Sequence, residues 1–288
     1  MSRSGFGMAK VVLAIAVVAS LTALAGYFYF LRGENEKSSA SSASAHFYND
    51  PKTSIAEIGL KVFYAVPKNH EKDFDRGWRG TIDAALLKAS RFHALQLRGF
   101  SKLNYEIFPR PFFLENEDIF YNSTSTDRGN PRGLIAIAEE VDRRVFRKSG
   151  DLYNQEFAKF KDGEYPVMGL IYEGVGASGG VIYETDKELT QEEIAKRLGV
   201  PESIVFIVDV ESSRGFFLLN HEFLREKMLS VLGPTYLYHE LAHSFGLPDR
   251  EEGGGAAQGN DIMGYGRRES IEVMYIGKDL LKGLGIIN

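Results

Sequence analysis

Two histidines four residues apart carry the clearest chemical signal in this sequence. His239 and His243 flank Glu240 in the segment HELAHSFGLPD. Residues four apart lie on one face of an α-helix, so both imidazoles can bind the same metal ion. Glu240 is then placed to take a proton from a metal-bound water. Gly246 can end the helix with a sharp turn, and this turn would bring Asp249 back towards the histidines as a third ligand.

This ligand set favours a catalytic metal site over a structural one. Two imidazoles and one carboxylate leave the fourth position of a tetrahedral zinc ion open. The bare His-Glu-x-x-His pattern also occurs by chance, on surface helices whose histidines are solvated. Here Leu237, Leu241 and Phe245 are apolar and suit a core-facing side opposite the metal. We therefore predict one catalytic Zn²⁺ ion, held by the two histidines and the aspartate.

The motif and a methionine downstream of it together resemble the metzincin clan of metallopeptidases. The signature of that clan is an extended zinc helix followed by a Met-turn, and Met263 lies in the segment NDIMGYG. The usual third ligand of the clan is histidine. Aspartate at position 249 makes the sequence similar to the snapalysin-type branch. The resemblance is confined to the segment from His239 to Tyr265.

The resemblance implies roles for further residues. It implies that Met263 forms an apolar floor beneath the metal, and that Tyr265 reaches the zinc or hydrogen-bonds the oxyanion. A tyrosine after a turn is also a common packing residue, so both interpretations of Tyr265 stay open. The resemblance further implies an antiparallel edge strand that binds substrate through its main chain. Gly180, Val181 and Ile182 are the candidates for this edge, with an ordinary buried strand as the alternative.

The hydrophobic pattern predicts a mixed α/β (α+β) domain. Strand-like segments occupy residues 60–66, 103–108, 167–172, 180–183 and 204–210. Helical spacing occupies residues 81–94, 134–160, 220–232 and 271–284, with Gly150 as a candidate break in the second of these, and residues 115–133 form a loop. The resemblance implies a twisted mixed sheet, an active-site zinc helix, a Met-turn and a C-terminal helix. His221 is predicted to begin a helix, and His46, His70 and His93 lack the partner spacing of metal ligands.

An uncharged apolar stretch at residues 11–31 predicts a transmembrane signal-anchor. Its length as a helix suffices to cross a hydrocarbon layer of about 30 Å. The alternative is a cleaved signal peptide, which would make the protein secreted. The length of the run and the aromatic rings at its end favour an anchor. The predicted order is a short tail at residues 1–10, the anchor, a Ser-rich flexible linker at 32–46 and an extracytoplasmic metallopeptidase domain at 47–288.

Composition narrows the classes of function. The chain is 44% hydrophobic and 25% charged with a net charge of −5, which is ordinary for a globular catalytic domain. Mild acidity argues against a nucleic-acid partner. Residues 190–200 resemble the start of a DNA-binding helix-turn-helix, but a β-branched, strand-like run follows in place of a recognition helix. The lack of cysteine excludes disulfides and thiolate metal sites.

The predicted function is zinc-dependent hydrolysis of peptide bonds, with Glu240 as general base. The predicted partners are a polypeptide substrate and, through the N-terminal helix, a membrane. One alternative is a non-catalytic, membrane-tethered zinc-binding module. Another is a zinc hydrolase acting on small amides or peptidoglycan cross-links. Glu240 argues against the first alternative, because a purely structural site has no use for a base.

Overall fold

The computed structural model describes residues 44–122, 131–183, 189–226, 231–250, 259–264 and 269–288. The predicted anchor at residues 11–31, most of the predicted linker, and Tyr265 lie outside these ranges. Within them, no helix is long and apolar enough to cross a membrane.

A mixed β-sheet organises the described residues, as predicted. Two strands form a separate antiparallel hairpin: β1 (His46–Phe47) and β2 (Asp50–Ser54). Seven strands form the main sheet: β3 (Glu57–Val66), β4 (Lys102–Ile107), β5 (Phe112–Phe113), β6 (Tyr165–Tyr172), β7 (Ala177–Tyr183), β8 (Val205–Ile207) and β9 (Gly215–Asn220). The strand order is β4-β3-β6-β9-β7-β8, with β5 paired to the end of β3. Strands β4, β3, β6 and β9 are parallel, β7 runs antiparallel to β9, and β8 is parallel to β7.

Helices cover both faces of this sheet. The helices in the described ranges are α1 (Trp78–Gln96), α2 (Asp118–Tyr121), α3 (Pro131–Val141), α4 (Gln191–Leu198), α5 (Glu222–Arg225), α6 (Gly233–His243) and α7 (Lys278–Gly283). Helices α1 and α6 pack in one hydrophobic layer and α3 packs in the other. Strand β3 alternates between them, with Val62 and Tyr64 in the first layer and Phe63 and Ala65 in the second. Burial on both faces explains why the central strands are almost continuously apolar.

Several sequence predictions of elements and their bounds are wrong. The helix predicted at residues 220–232 ends at Arg225, and the helix predicted at 271–284 is a short 3₁₀ turn, Ile271–Val273, followed by α7. The helix predicted at residues 134–160 ends at Val141 rather than breaking at Gly150, and a π-helical turn, Asp142–Phe146, follows it. The Asp142 carboxylate accepts hydrogen bonds from the Arg147 side chain and the Ser212 backbone, which fixes the chain in this turn. Strand β8 is shorter than predicted. Strand β9 was missed, because its run of apolar residues lacks the alternation of a half-exposed strand.

The prediction of an exposed edge at Gly180, Val181 and Ile182 is also wrong. Strand β7 is antiparallel to β9, but β8 pairs with residues 181–183 on its other side. Val181 and Ile182 are therefore buried. Within the described ranges, the unpaired edge of β7 is at residues 177–179.

A buried hydrogen-bond chain joins α6 to α1. The Ser101 hydroxyl donates to the Ile55 carbonyl oxygen, so its oxygen accepts from His93 Nε2–H at 2.8 Å. His93 Nδ1 then accepts from the Tyr238 hydroxyl at 2.9 Å. Burial lowers the pKa of His93 to about 3. His93, which received no role from its spacing, therefore anchors the helix that carries the histidine motif.

The depressed pKa of His93 predicts a pH-dependent stability. The unfolded chain binds a proton near pH 6.5 that the folded chain excludes until about pH 3. The free energy of unfolding therefore falls as the pH drops below 6.5. Between pH 7.5 and 5.5, metal-free wild type should lose about 1.4 kcal/mol more than His93→Gln, as measured by urea unfolding. Parallel pH profiles for the two proteins would contradict this assignment.

Helix α6 should depend strongly on its apolar contacts with the sheet. Leu241 is fully buried, whereas Leu95 on α1 is 76% exposed. We expect Leu241→Ala to lower the free energy of unfolding by about 2–5 kcal/mol, through lost burial and a residual cavity. Leu95→Ala is the matched control and should change it by less than about 0.5 kcal/mol. Urea denaturation of both variants tests this, and equal effects would place Leu241 outside the core.

Candidate metal centre

The structure brings the three predicted ligands together. One ligand atom from each of His239, His243 and Asp249 lies within 4.8 Å of the others. The two histidine Nε2 atoms are 3.2 Å apart. Asp249 Oδ1 is 3.2 Å from Nε2 of His239 and 3.7 Å from Nε2 of His243. This group can bind a metal ion.

Backbone carbonyls orient both imidazoles. His239 Nδ1 is 2.8 Å from the Ile262 carbonyl oxygen, and His243 Nδ1 is 2.7 Å from that of Leu247. A carbonyl oxygen only accepts hydrogen bonds, so each Nδ1 carries the hydrogen and each neutral ring presents an Nε2 lone pair. The two Nε2 atoms lie 3.2 Å apart beside the Asp249 carboxylate. A cation placed between these three atoms would be attracted by all of them.

The spacing of the three atoms fits a tetrahedral ion. Zinc binds histidine nitrogen and carboxylate oxygen at about 2.0–2.2 Å. At a tetrahedral angle, two such ligand atoms lie about 3.3 Å apart. The observed separations of 3.2, 3.2 and 3.7 Å bracket that value. The donor set therefore fits a four-coordinate ion whose fourth ligand comes from outside these three residues.

The centre is buried on its helix side and open on its aspartate side. His239 and His243 are 2% and 4% exposed. The Asp249 side chain, by contrast, is 64% exposed. Glu240 is largely buried and follows His239 on the same turn of α6. Solvent and a ligand can therefore approach the centre from the side of Asp249.

A glycine turn carries the chain from the second histidine to the third ligand, as predicted. Helix α6 ends at His243, and Gly246 adopts a φ of 94°, in the left-handed region that favours glycine. A side chain there would also overlap the ring of Phe47. The turn places Leu247 so that its carbonyl oxygen meets His243. One backbone reversal thus positions a ligand and orients another.

The segment around Met263 contacts the centre through its backbone. Met263 is 1% exposed and belongs to the same hydrophobic layer as α6, consistent with an apolar floor. Its backbone carbonyl accepts from Arg250 N at 2.9 Å. The preceding residue, Ile262, accepts the hydrogen bond from His239. Tyr265 lies outside the described residues, so its predicted role stays a prediction.

A buried ion pair missed by sequence reasoning lies beside this segment. Arg250 Nε is 2.9 Å from Asp261 Oδ2, and the Asp261 side chain is fully buried. Burial raises the pKa of the Asp261 carboxyl, while the Met263 N–H and the Arg250 guanidinium oppose that rise. The guanidinium also contacts Asp279 on α7. Arg250 directly follows the third ligand in the sequence, which is the only sequence signal for this pair.

Strand β7 lies directly against the motif helix. A Cβ atom at Gly179 would overlap the backbone carbonyl of Glu240. The absence of a side chain therefore lets the strand approach the helix backbone at the turn that carries the motif. Gly180, in contrast, packs against Ile204 and Phe206. Gly179 was not singled out by the sequence, because a glycine pair in a strand does not reveal which member faces a helix.

No protein-family model matches this sequence, and no curated protein matches it either.

The geometry predicts that Asp249 contributes to metal affinity. We expect Asp249→Ala to lower zinc affinity by more than about 100-fold, since the loss of a direct ligand should exceed the 10–100-fold typical of outer contacts. Competition with a chromogenic chelator measures the affinity. Asp151→Ala is the control, because the Asp151 side chain is equally exposed but pairs with Arg144. Zinc retained by Asp249→Ala through dialysis would show that Asp249 is not a ligand.

Proposed function

We propose that this protein is a zinc-dependent endopeptidase of the metzincin type. The observation that carries the proposal is the convergence of two oriented imidazoles and one carboxylate beside Glu240. His239 and His243 point Nε2 atoms at Asp249 Oδ1 with near-tetrahedral spacing. A structural zinc site has four protein ligands, whereas the three that converge among the described residues suit a catalytic one.

The motif, rather than the donor set, favours zinc. Two histidines and one carboxylate also form the facial triad of non-haem iron enzymes. A glutamate inside a His-Glu-x-x-His helix is the arrangement of zinc hydrolases. The proposed metal is therefore zinc.

The chemistry then assigns the proton transfers to Glu240. Zinc held by His239, His243 and Asp249 would supply the Lewis acidity that polarises the scissile carbonyl and lowers the pKa of a bound water. Glu240 accepts the proton of the attacking water and passes it to the leaving nitrogen, so that one peptide and one water give a carboxylate and an amine. Its low exposure strengthens its electrostatic interactions. Tyr265 is the proposed hydrogen-bond donor to the oxyanion.

The open edge of β7 is the proposed binding site for the substrate main chain. Asn220 N donates to the Gly176 carbonyl, and Ile182 N donates to the Arg214 carbonyl. By the alternation of an antiparallel ladder, the main-chain groups of Ala177 and Gly179 face away from β9. A peptide added there as a strand gains main-chain hydrogen bonds without needing a defined sequence. This edge supports a polypeptide substrate over a small amide.

We further propose that residues 11–31 tether the domain to a membrane and hold it outside the cytoplasm. The uncharged apolar run and the Ser-rich stretch after it support this arrangement. Secretion after cleavage of that segment is the alternative.

The decisive experiment compares Glu240→Gln with the parent chain. Full-length protein is incubated with an unbiased peptide mixture, and new termini are identified by mass spectrometry. Glu240→Gln should bind one zinc per chain and lose nearly all turnover, because the amide cannot accept the proton. Glu222→Gln, at an exposed glutamate of α5, should cleave like the parent.

The outcomes separate the candidate functions. Parent-like cleavage by Glu240→Gln would overturn the mechanism. Zinc binding by the parent without cleavage of any peptide would favour the non-catalytic module. Cleavage of peptidoglycan cross-links, but not of polypeptides, would identify the small-amide hydrolase. Iron rather than zinc in the purified protein would overturn the metal assignment.

A further inference from the structure

Arg250 lies where the third ligand, the Met263 segment and the C-terminal helix meet. Its backbone follows Asp249, and its N–H donates to the Met263 carbonyl at 2.9 Å. Its side chain, 20% exposed, pairs with buried Asp261 at 2.9 Å and with Asp279 on the surface. One residue thus joins three separate pieces of chain.

Asp261 extends this connection to the first histidine. Asp261 Oδ1 accepts from Met263 N at 3.1 Å and closes a tight turn. The residue within that turn, Ile262, accepts the hydrogen bond that orients His239. A displacement of Asp261 therefore moves the carbonyl that sets the direction of the His239 ring.

The surrounding backbone is built to accommodate this ion pair. A Cβ atom at Gly277 would overlap both the Arg250 guanidinium and the Asp261 carboxylate. Ile262 N donates to the Tyr275 carbonyl, and Tyr275 N donates to the Asn260 carbonyl, so the turn is also fixed from outside. The charged groups that face Asp261 are therefore held in one arrangement.

We propose that Arg250 is a positioning residue of the metal centre, which fixes Asp249 and the carbonyl that orients His239 through its ion pair with Asp261. The inference rests on the proposed metal site. The Arg250 guanidinium pairs with Asp261 and Asp279, so the proposed role is positioning rather than catalysis. It limits the motion of Asp249, the one ligand that is not on α6, and thereby lowers the entropy that metal binding must remove.

A second ion-pair cluster in the molecule provides a matched control. Arg147 pairs with fully buried Asp142 at 2.7 Å and with exposed Asp209 at 2.9 Å. This cluster has the composition of the Arg250 cluster, but it follows α3, whose apolar side packs in the opposite layer from α6. Loss of either arginine leaves a buried carboxylate without its cation, so both changes should lower the Tm.

The test measures metal affinity in the full-length chain, separately from stability. Arg250→Met keeps the aliphatic stem and should weaken zinc binding by about 10–100-fold in a chelator competition. Arg250→Lys keeps the charge but loses the planar fork that reaches two carboxylates, and should weaken it by about 10-fold. Arg147→Met should lower the Tm yet bind zinc within about twofold of the parent. Cobalt substitution adds a spectroscopic readout, since the visible bands of cobalt should change in the Arg250 variants and not in Arg147→Met.

Each result supports or overturns the proposal. Folded Arg250→Met with parent affinity and an unchanged cobalt spectrum would overturn it. If Arg250→Met does not fold, Arg250→Lys decides, and parent-like affinity in that variant would overturn it equally. Equal losses of affinity in Arg250→Met and Arg147→Met would reduce Arg250 to a general stability role. A parent chain that binds neither zinc nor cobalt would overturn the metal site itself, which distinguishes that failure from failure of the positioning role.

Discussion

The close packing of α6 on the sheet is the constraint on which the rest of the site depends. Two glycines make this approach possible, because a Cβ at Gly179 would overlap the Glu240 carbonyl and one at Gly215 would overlap that of Ser244. The helix backbone therefore lies directly on β7 and β9. This contact fixes the helix in translation, while Leu241 and Phe245 fix its rotation by filling the apolar layer. The two histidines are consequently held on the side away from the sheet.

Polar contacts then orient the side chains of the candidate metal centre. The chain uses backbone carbonyls to orient its imidazoles, and carbonyls in tight turns move less than long side chains. The neutral network at His93 secures the same helix from the α1 side. The support beside Asp249, which lies outside α6, is instead an ion pair between Arg250 and Asp261. Backbone carbonyls thus orient the two histidines, whereas an ion pair lies beside Asp249.

Local sequence patterns predict the three candidate ligands but not the residues that hold them in place. The spacing of His239 and His243 predicts one helix face, and Gly246 predicts the turn, because both depend on neighbouring residues alone. The ion pair of Arg250 joins residues that are close only in the fold. His93 and Tyr238 are 145 positions apart and meet because α1 packs on α6. The edge of β7 was misplaced for the same reason: which strand covers residues 181–183 is a long-range choice.

The three candidate ligands divide into a buried pair on α6 and a more exposed third residue, and this division bears on the proposed function. Burial of His239 and His243 limits the access of water to their nitrogens, whereas the exposed Asp249 carboxylate gives access to the group from its own side. Within the described residues, the unpaired part of β7 runs beside the Glu240 turn, so an added strand would pass the proposed general base. If Asp249 were buried, a substrate could not approach from its side. If Asp249 were unrestrained, metal binding would be weaker. The proposed restraint by Arg250 meets both requirements. It acts on the backbone next to Asp249 and leaves the Asp249 carboxylate accessible.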